Sequence, residues 1–323
     1  MIRCLLAGER STGLAQPRLR LTGNMPLHLL FPLASSFGFV LAMLFTKQAT
    51  SRGASPWTGT FLANLWLAIG WGVVFALQSE RLPMEGWWQA GLIGAAFVVG
   101  QLLTYLAFSL GDVSVAAPVL GVKVIIVALL LSLVVGEPVS GQVWLGAFLA
   151  ATGVGVIQFG ASSAARNRLT ATRAVLTVVL AVLSATSFSL FDVGLQTWGR
   201  HWGADRFLPP MFVSTGLISL AFLPKCDSPR RLQQLGVLRP LLCGTVVMAL
   251  QSMSMAYALN HYGDATRINI IYALRGLWAV LFAWWLARQF GGAEAQLSRR
   301  IMLIRLTGAI LLMLSILIAL WPN

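Results

Sequence analysis

Charge is what this 323-residue chain lacks most: Asp, Glu, Lys and Arg make up 10% of it, and only 10 residues are acidic. A soluble domain carries roughly 25% charged residues, so too few charges are present to coat a globule of this size. Histidine is scarce too. His28, His201 and His261 lie far apart with no acidic companions at metal-ligand spacing, and no metal site is expected. Cys4, Cys226 and Cys243 are odd in number and form no CxxC or Cys/His cluster. That argues against a disulfide framework and leaves them as small packing side chains. No GxxxxGK[ST] loop is present to cradle ATP phosphates, and no GxSxG nucleophile motif occurs. With no acid, base or nucleophile grouped for catalysis, the chain reads as a non-enzyme without a cofactor.

Apolar residues fill the space that charge leaves. They make 57% of the chain, with a mean hydropathy of +0.78, and cluster into runs of about 20, the length that crosses a hydrocarbon core of about 30 Å. The runs lack the alternating polarity of barrel strands. They predict an all-α integral membrane protein of ten transmembrane helices: Pro26 to Thr46, Trp57 to Gln78, Trp87 to Leu110, Val113 to Val135, Val143 to Phe159, Ala174 to Gln196, Phe207 to Leu223, Leu241 to Leu259, Ala265 to Ala287 and Leu303 to Leu320. Pro56, Pro83, Pro138, Pro224 and Pro240 fall at or beside helix ends, where a missing N–H does least harm. Trp57, Trp87, Trp88, Trp144, Trp198, Trp202 and Trp321 fall near span ends, as interfacial belts require.

The net charge of +13 does not indicate nucleic acid as a partner. The basic residues sit in short loops and at the N-terminus, without an aromatic-interleaved basic domain; their expected partner is membrane lipid. Residues 1–24 are polar and punctuated by Arg3, Arg10, Arg18 and Arg20. They read as a disordered tail or an over-extended start, with Met25 the true beginning. The polar stretch 161–173 reads as a linker between two five-helix halves, 25–160 and 174–323. Charge counting places the richer set of loop cations, among them Lys47, Arg52, Arg166, Lys225 and Arg305, on the side opposite the termini. The positive-inside rule would then put both termini outside.

The halves resemble one another. At an offset of 152 residues Tyr105 meets Tyr257, Gly111 meets Gly263, Asp112 meets Asp264, Ser114 meets Thr266 and Lys123 meets Arg275. Ser36-Phe37 and Ser187-Phe188 correspond at a slightly different offset. Five is odd, so two such halves in one membrane point in opposite directions. Inverted repeats of this kind place a site near the bilayer midplane at the repeat interface.

Lys123 and Arg275 stand out within those repeats. A cation at the centre of a membrane helix costs about 2.5–3.5 kcal/mol, and such residues mark a substrate or ion pathway by default. Tyr272 and Trp278 flank Arg275 at i−3 and i+3, and a guanidinium fork beside aromatic rings can hold a planar anion. Gln101 and Tyr105, one turn apart, add polar lining candidates, as do Gln251 and Ser254. Asp192 is the one acid deep within a predicted span. It is a candidate for carrying a coupling proton or for pairing with Lys123 or Arg275. One acid against two cations leaves a positive surplus that favours an anion. Gly146 and Ala150, with Ala151 and Gly155, form small-xxx-small patterns suited to close helix approach.

Tyr105, Ala107, Gly111, Pro118, Gly136-Glu137, Trp144, Gly146, Gly153 and Val154 together resemble the EamA domain of the drug/metabolite transporter superfamily. The second half keeps Tyr257 and Gly263-Asp264 but has Ile270 for the proline and Gln289 for the acid, and Asn64 stands roughly where many members carry Arg. The resemblance implies a ten-helix carrier in the cell (inner) membrane that moves small metabolites by alternating access, with both termini inside. Nucleotide-sugar and triose-phosphate carriers are similar in placing basic residues on the fourth and ninth helices. A small-molecule substrate, an organic anion, is therefore expected, with a homodimer left open. The competing expectations are an exporter of amphipathic or aromatic compounds, a non-transporting scaffold and a lipid-acting enzyme.

Overall fold

The computed structural model describes residues 27–78, 80–110, 120–159, 171–290 and 299–321, and these are helical with no strand among them. After a short 3₁₀ turn (Leu27–Leu29), α1 runs Leu30–Ser51, α2 Pro56–Leu77 and α3 Met84–Leu110. Helix α4 (Lys123–Leu129) widens into a π-helical segment, Leu130–Val135, and α5 follows at Gly141–Phe159. Helix α6 (Ala171–Gly194) continues through a second π segment, Leu195–Gly199, into Arg200–Trp202. Then come α7 (Ala204–Ser219), the short α8 (Pro229–Gln234) and α9 (Leu238–Tyr262). The last three are α10 (Ala265–Tyr272), α11 (Arg275–Phe290) and α12 (Arg299–Leu320).

Among the described residues seven helices are long and apolar enough to cross a membrane, and Lys123–Val135 and Gly141–Ile157 are shorter apolar helices. The predicted ninth helix is not continuous. It breaks at Ala273-Leu274, where the N–H groups of Leu274 and Gly276 donate to the carbonyls three residues back, Ile271 and Ala273, at 3.0 Å each. A matching irregularity precedes Lys123, where Gly121 and Val122 form a turn and Ile125 N–H donates to Val122 O at 2.9 Å. The start of the predicted fourth helix, with Gly111-Asp112 and Pro118, lies outside the described residues. So does the linker, apart from Ala171 to Arg173, which already belong to α6. Arg305, expected in a loop, lies inside α12 and is buried. Trp198, expected at an interface, is buried within the continued α6 and packs edge-on to Trp88.

The bundle is held by long helix pairs. α5 packs along α12, α1 along α9, α3 along α6 and α2 along α7; α3 also meets α7, and α2 meets α9. Helix α4 packs on α5 and α6, while α10 packs on α1, α4, α5 and α12. The small residues of α5 explain its approach to α12. A Cβ on Gly146 would lie 2.9 Å from Ser315 O, and one on Gly153 would lie 2.9 Å from Gly308 O. Gly155 has open space instead, so the close face is the 146/150/153 face. Gly308 is tightest: a Cβ there would meet Ile157 Cγ1 at 2.6 Å and Gly153 O at 2.8 Å. Backbone cannot yield as a side chain can. Gly308→Val is therefore expected to cost about 1–3 kcal/mol or more, read as a lowered thermal midpoint of the detergent-solubilised protein. Gly155→Val, by the same measurement, should leave it nearly unchanged.

Candidate functional site

Several helices end at one face of the bundle, and their ends are tied there. Gly263 closes α9 with φ +64 and leaves no room for a side chain against the Arg200 guanidinium, which a Cβ would approach at 2.5 Å. Gln196 joins three elements: its Nε2 donates to Glu137 Oε2 at 2.5 Å, and its Oε1 accepts from Ala265 N–H at 2.8 Å. Arg267 donates to Asp264 Oδ2 (3.4 Å) and, through Nε, to Ala319 O (2.9 Å). His28 stacks on Tyr262 with its Nε2 3.9 Å from Asp264 Oδ2. Glu137 is exposed as a residue, yet neighbouring protein partly desolvates its carboxylate and pushes its pKa up, against the Gln196 hydrogen bond and the Arg200 charge that lower it. A carboxyl whose pKa rises on folding lends stability below its unfolded pKa and loses it as pH rises through the folded one. Glu137→Gln, which keeps an acceptor for Gln196, is thus expected to flatten the decline of the thermal midpoint between mildly acidic and neutral pH.

Counted from that face, Lys123 lies 12 residues inside the end of the α4 segment and Arg275 lies 10 residues beyond the start of α10. At 1.5 Å per residue both are about 15–18 Å deep, about half a hydrocarbon core. Each follows a helix irregularity, and each faces a phenylalanine from the first helix of the other half. Lys123 Nζ is 5.6 Å from the Phe188 ring centroid, and Arg275 Cζ is 5.1 Å from that of Phe39.

The surroundings of the two cations then diverge. Lys123 Nζ lies 2.7 Å from Asp192 Oδ2, and the side chains are 12% and 2% exposed. Asn269 Nδ2 donates to the same Asp192 oxygen at 2.6 Å, and Ser189 Oγ donates to Lys123 O at 3.3 Å. One ionic knot thereby ties α4, α6 and α10. Asp192 pairs with Lys123, not with Arg275. Among the described residues no carboxylate pairs with Arg275, whose guanidinium instead lies 4.6 Å over the Tyr272 ring and within electrostatic reach of Lys123. Arg275 is partly exposed.

The remaining sequence candidates fall into three groups. Tyr272 is buried; its hydroxyl donates to Gln251 Oε1 at 3.1 Å, and its ring meets Phe39 edge-on. Trp278 is directed to α1, donating to Ser36 Oγ at 3.0 Å and meeting the Phe37 ring edge-on. Gln101 is engaged elsewhere, in a reciprocal amide pair with Asn64 (2.8 and 3.1 Å), and Asn64 also donates to Ser219 Oγ. The Tyr105 side chain lies outside the described residues. Asn269, Phe39 and Phe188 were not read from the sequence. Asn269 was within reach of it, since Asn269, Tyr272 and Arg275 recur at threes in an otherwise apolar run. The two phenylalanines carried no such signal among 17. An open groove lined by Gln78, Glu80, Trp202, Asp205 and Arg206 lies at the bundle end, away from the cations.

Comparison with known proteins fits this layout. Residues 26–159 match the EamA-like transporter family. Together with the apolar helices, the match supports an integral multi-pass membrane protein whose first half is similar to a family of transporters. No curated protein matches the chain. A solved structure, given simply as the crystal structure of a protein, is similar with a TM-score of 0.59 at 18% identity, covering 89% of this chain and 96% of that one. At that identity the likeness is one of fold. It reaches beyond the EamA-matching segment.

Proposed function

We propose that this protein is a secondary transporter of a small organic anion, working by alternating access in the cell membrane. We read it as ten spans in two inverted five-helix repeats, 25–160 and 174–323. The helix contacts support that reading. Exchanging the halves turns the α1–α9 pair into α6–α3, turns α3–α7 into α9–α2, and sends α4–α6 to α10–α1, while α2–α7 and α5–α12 map onto themselves. Contacts of this kind let one half rock against the other about a fixed central site.

The observation that carries the anion reading is the contrast between the cations. Lys123 has its counter-ion, whereas Arg275 sits between the Phe39 and Tyr272 rings with no acidic partner among the described residues. A guanidinium fork that is partly desolvated and flanked by rings recognises a carboxylate or sulfonate oxygen pair. Tyr272 and Trp278 form the wall of the site. The Lys123–Asp192 knot is the element that a bound anion perturbs. Proteoliposomes offered a whole-cell metabolite extract should accumulate anions, identified by mass spectrometry. Selection of neutral aromatics over carboxylates and sulfonates would instead support an aromatic exporter, the reading favoured by the Phe37, Phe39, Trp278 and Phe282 rings.

A further inference from the structure

The geometry points to Asp192 as a charge-counting residue: by balancing the Lys123 charge, it limits the substrate to a single negative charge. This rests on the anion reading above. The charged side chains in electrostatic reach of Lys123 are Asp192 and Arg275, a sum of two positive charges and one negative. A monoanion at Arg275 brings that sum to zero, while a dianion leaves a net negative charge in a largely desolvated space, the condition that burial opposes most.

The acid has no counterpart in the first half. At the 151-residue offset that relates Ser36-Phe37 to Ser187-Phe188, Asp192 corresponds to Leu41, and at 152 residues Asn269 corresponds to Ala117, although the cations themselves are duplicated. An acid needed to make the bundle fold around any cation would be expected beside each of them. Its presence at one cation alone, 2% exposed and fixed by Asn269 at 2.6 Å, sets the interior at one surplus positive charge instead of two.

The test uses two probes whose charges do not titrate, benzenesulfonate and 1,3-benzenedisulfonate, with purified full-length protein in an uncharged detergent at fixed ionic strength. Binding is read from ligand-dependent thermal stabilisation. The native protein should bind the monosulfonate more tightly. Asp192→Asn, which keeps an acceptor for the Asn269 hydrogen bond and raises the surplus to two, should invert the preference, moving the ratio of the two affinities by about tenfold or more, as one unit charge acting through a partly desolvated interior requires. The charge-conserving pair Lys123→Met/Asp192→Asn should restore the native preference. A purely structural Asp192 would lower the thermal midpoint of Asp192→Asn and leave the ratio unmoved, which overturns the inference and spares the anion reading. A native protein that prefers the disulfonate overturns it without any variant. If neither probe stabilises the native protein, the anion reading itself falls.

Discussion

Arg275→Ala is expected to lower the kcat/KM for anion uptake into proteoliposomes by about 30-fold or more, with expression and monodispersity intact. Removing one partner of a desolvated, hydrogen-bonded charge pair costs about 2–5 kcal/mol, and 1.4 kcal/mol is a factor of ten. Folding should survive because Arg275 has ring contacts and no ion pair among the described residues, so its loss strands no acid. Arg275→Lys separates charge from shape. The ammonium keeps the attraction but not the planar fork, and an intermediate loss is expected. Full uptake by Arg275→Ala would remove the proposed anchor, whatever else the protein carries.

Lys123→Ala should behave in the opposite way, as a stability variant first. It leaves Asp192, 2% exposed and held by Asn269, without its counter-ion. Breaking a buried pair from one side costs about 3–5 kcal/mol, a large part of the roughly 5–15 kcal/mol that holds an ordinary protein folded. Lys123→Met/Asp192→Asn removes both charges together and should recover most of that loss, because replacing a buried pair by neutral groups of similar size is often close to neutral. Thermal midpoints in detergent for the single and double variants form the check. If Lys123→Ala is as stable as the native protein, the 2.7 Å pair does not exist in the folded bundle.

The residues that carry these expectations differ in how far the sequence revealed them. Lys123 and Arg275 were legible because a cation inside an apolar run is expensive enough to be conspicuous, and the shared offset with Tyr105/Tyr257 and Gly111/Gly263 placed them at equivalent points. The close α5–α12 approach was legible in part, from Gly146 and Ala150, whereas the Ala151/Gly155 pattern pointed to a face where Gly155 meets open space and the closer contact comes from Gly153. The break before Arg275 was not legible: Ala273 and Leu274 are ordinary helix formers, and the one glycine nearby, Gly276, follows the break instead of marking it. The π segments are equally silent, since Leu130–Val135 and Leu195–Gly199 contain no breaker within an apolar helix pattern apart from the closing Gly199. Which cation Asp192 would meet depended on the rotation of α6 about its axis, and periodicity does not fix rotation against a neighbour that is apolar on every side. Gln101 illustrates the same limit, because its reciprocal amide pair with Asn64 joins residues 37 positions apart.

The solitary acid on α6 has a kinetic meaning as well. Under the alternating-access reading, two halves related by a two-fold axis with identical interiors would give inward-open and outward-open forms of equal energy, each as populated as the other. With Lys123, Asp192 and Asn269 knotted on one side and Arg275 unmatched on the other, that degeneracy is lifted. One orientation would then be the resting form of the proposed carrier, while the direction of net transport stays with the gradient.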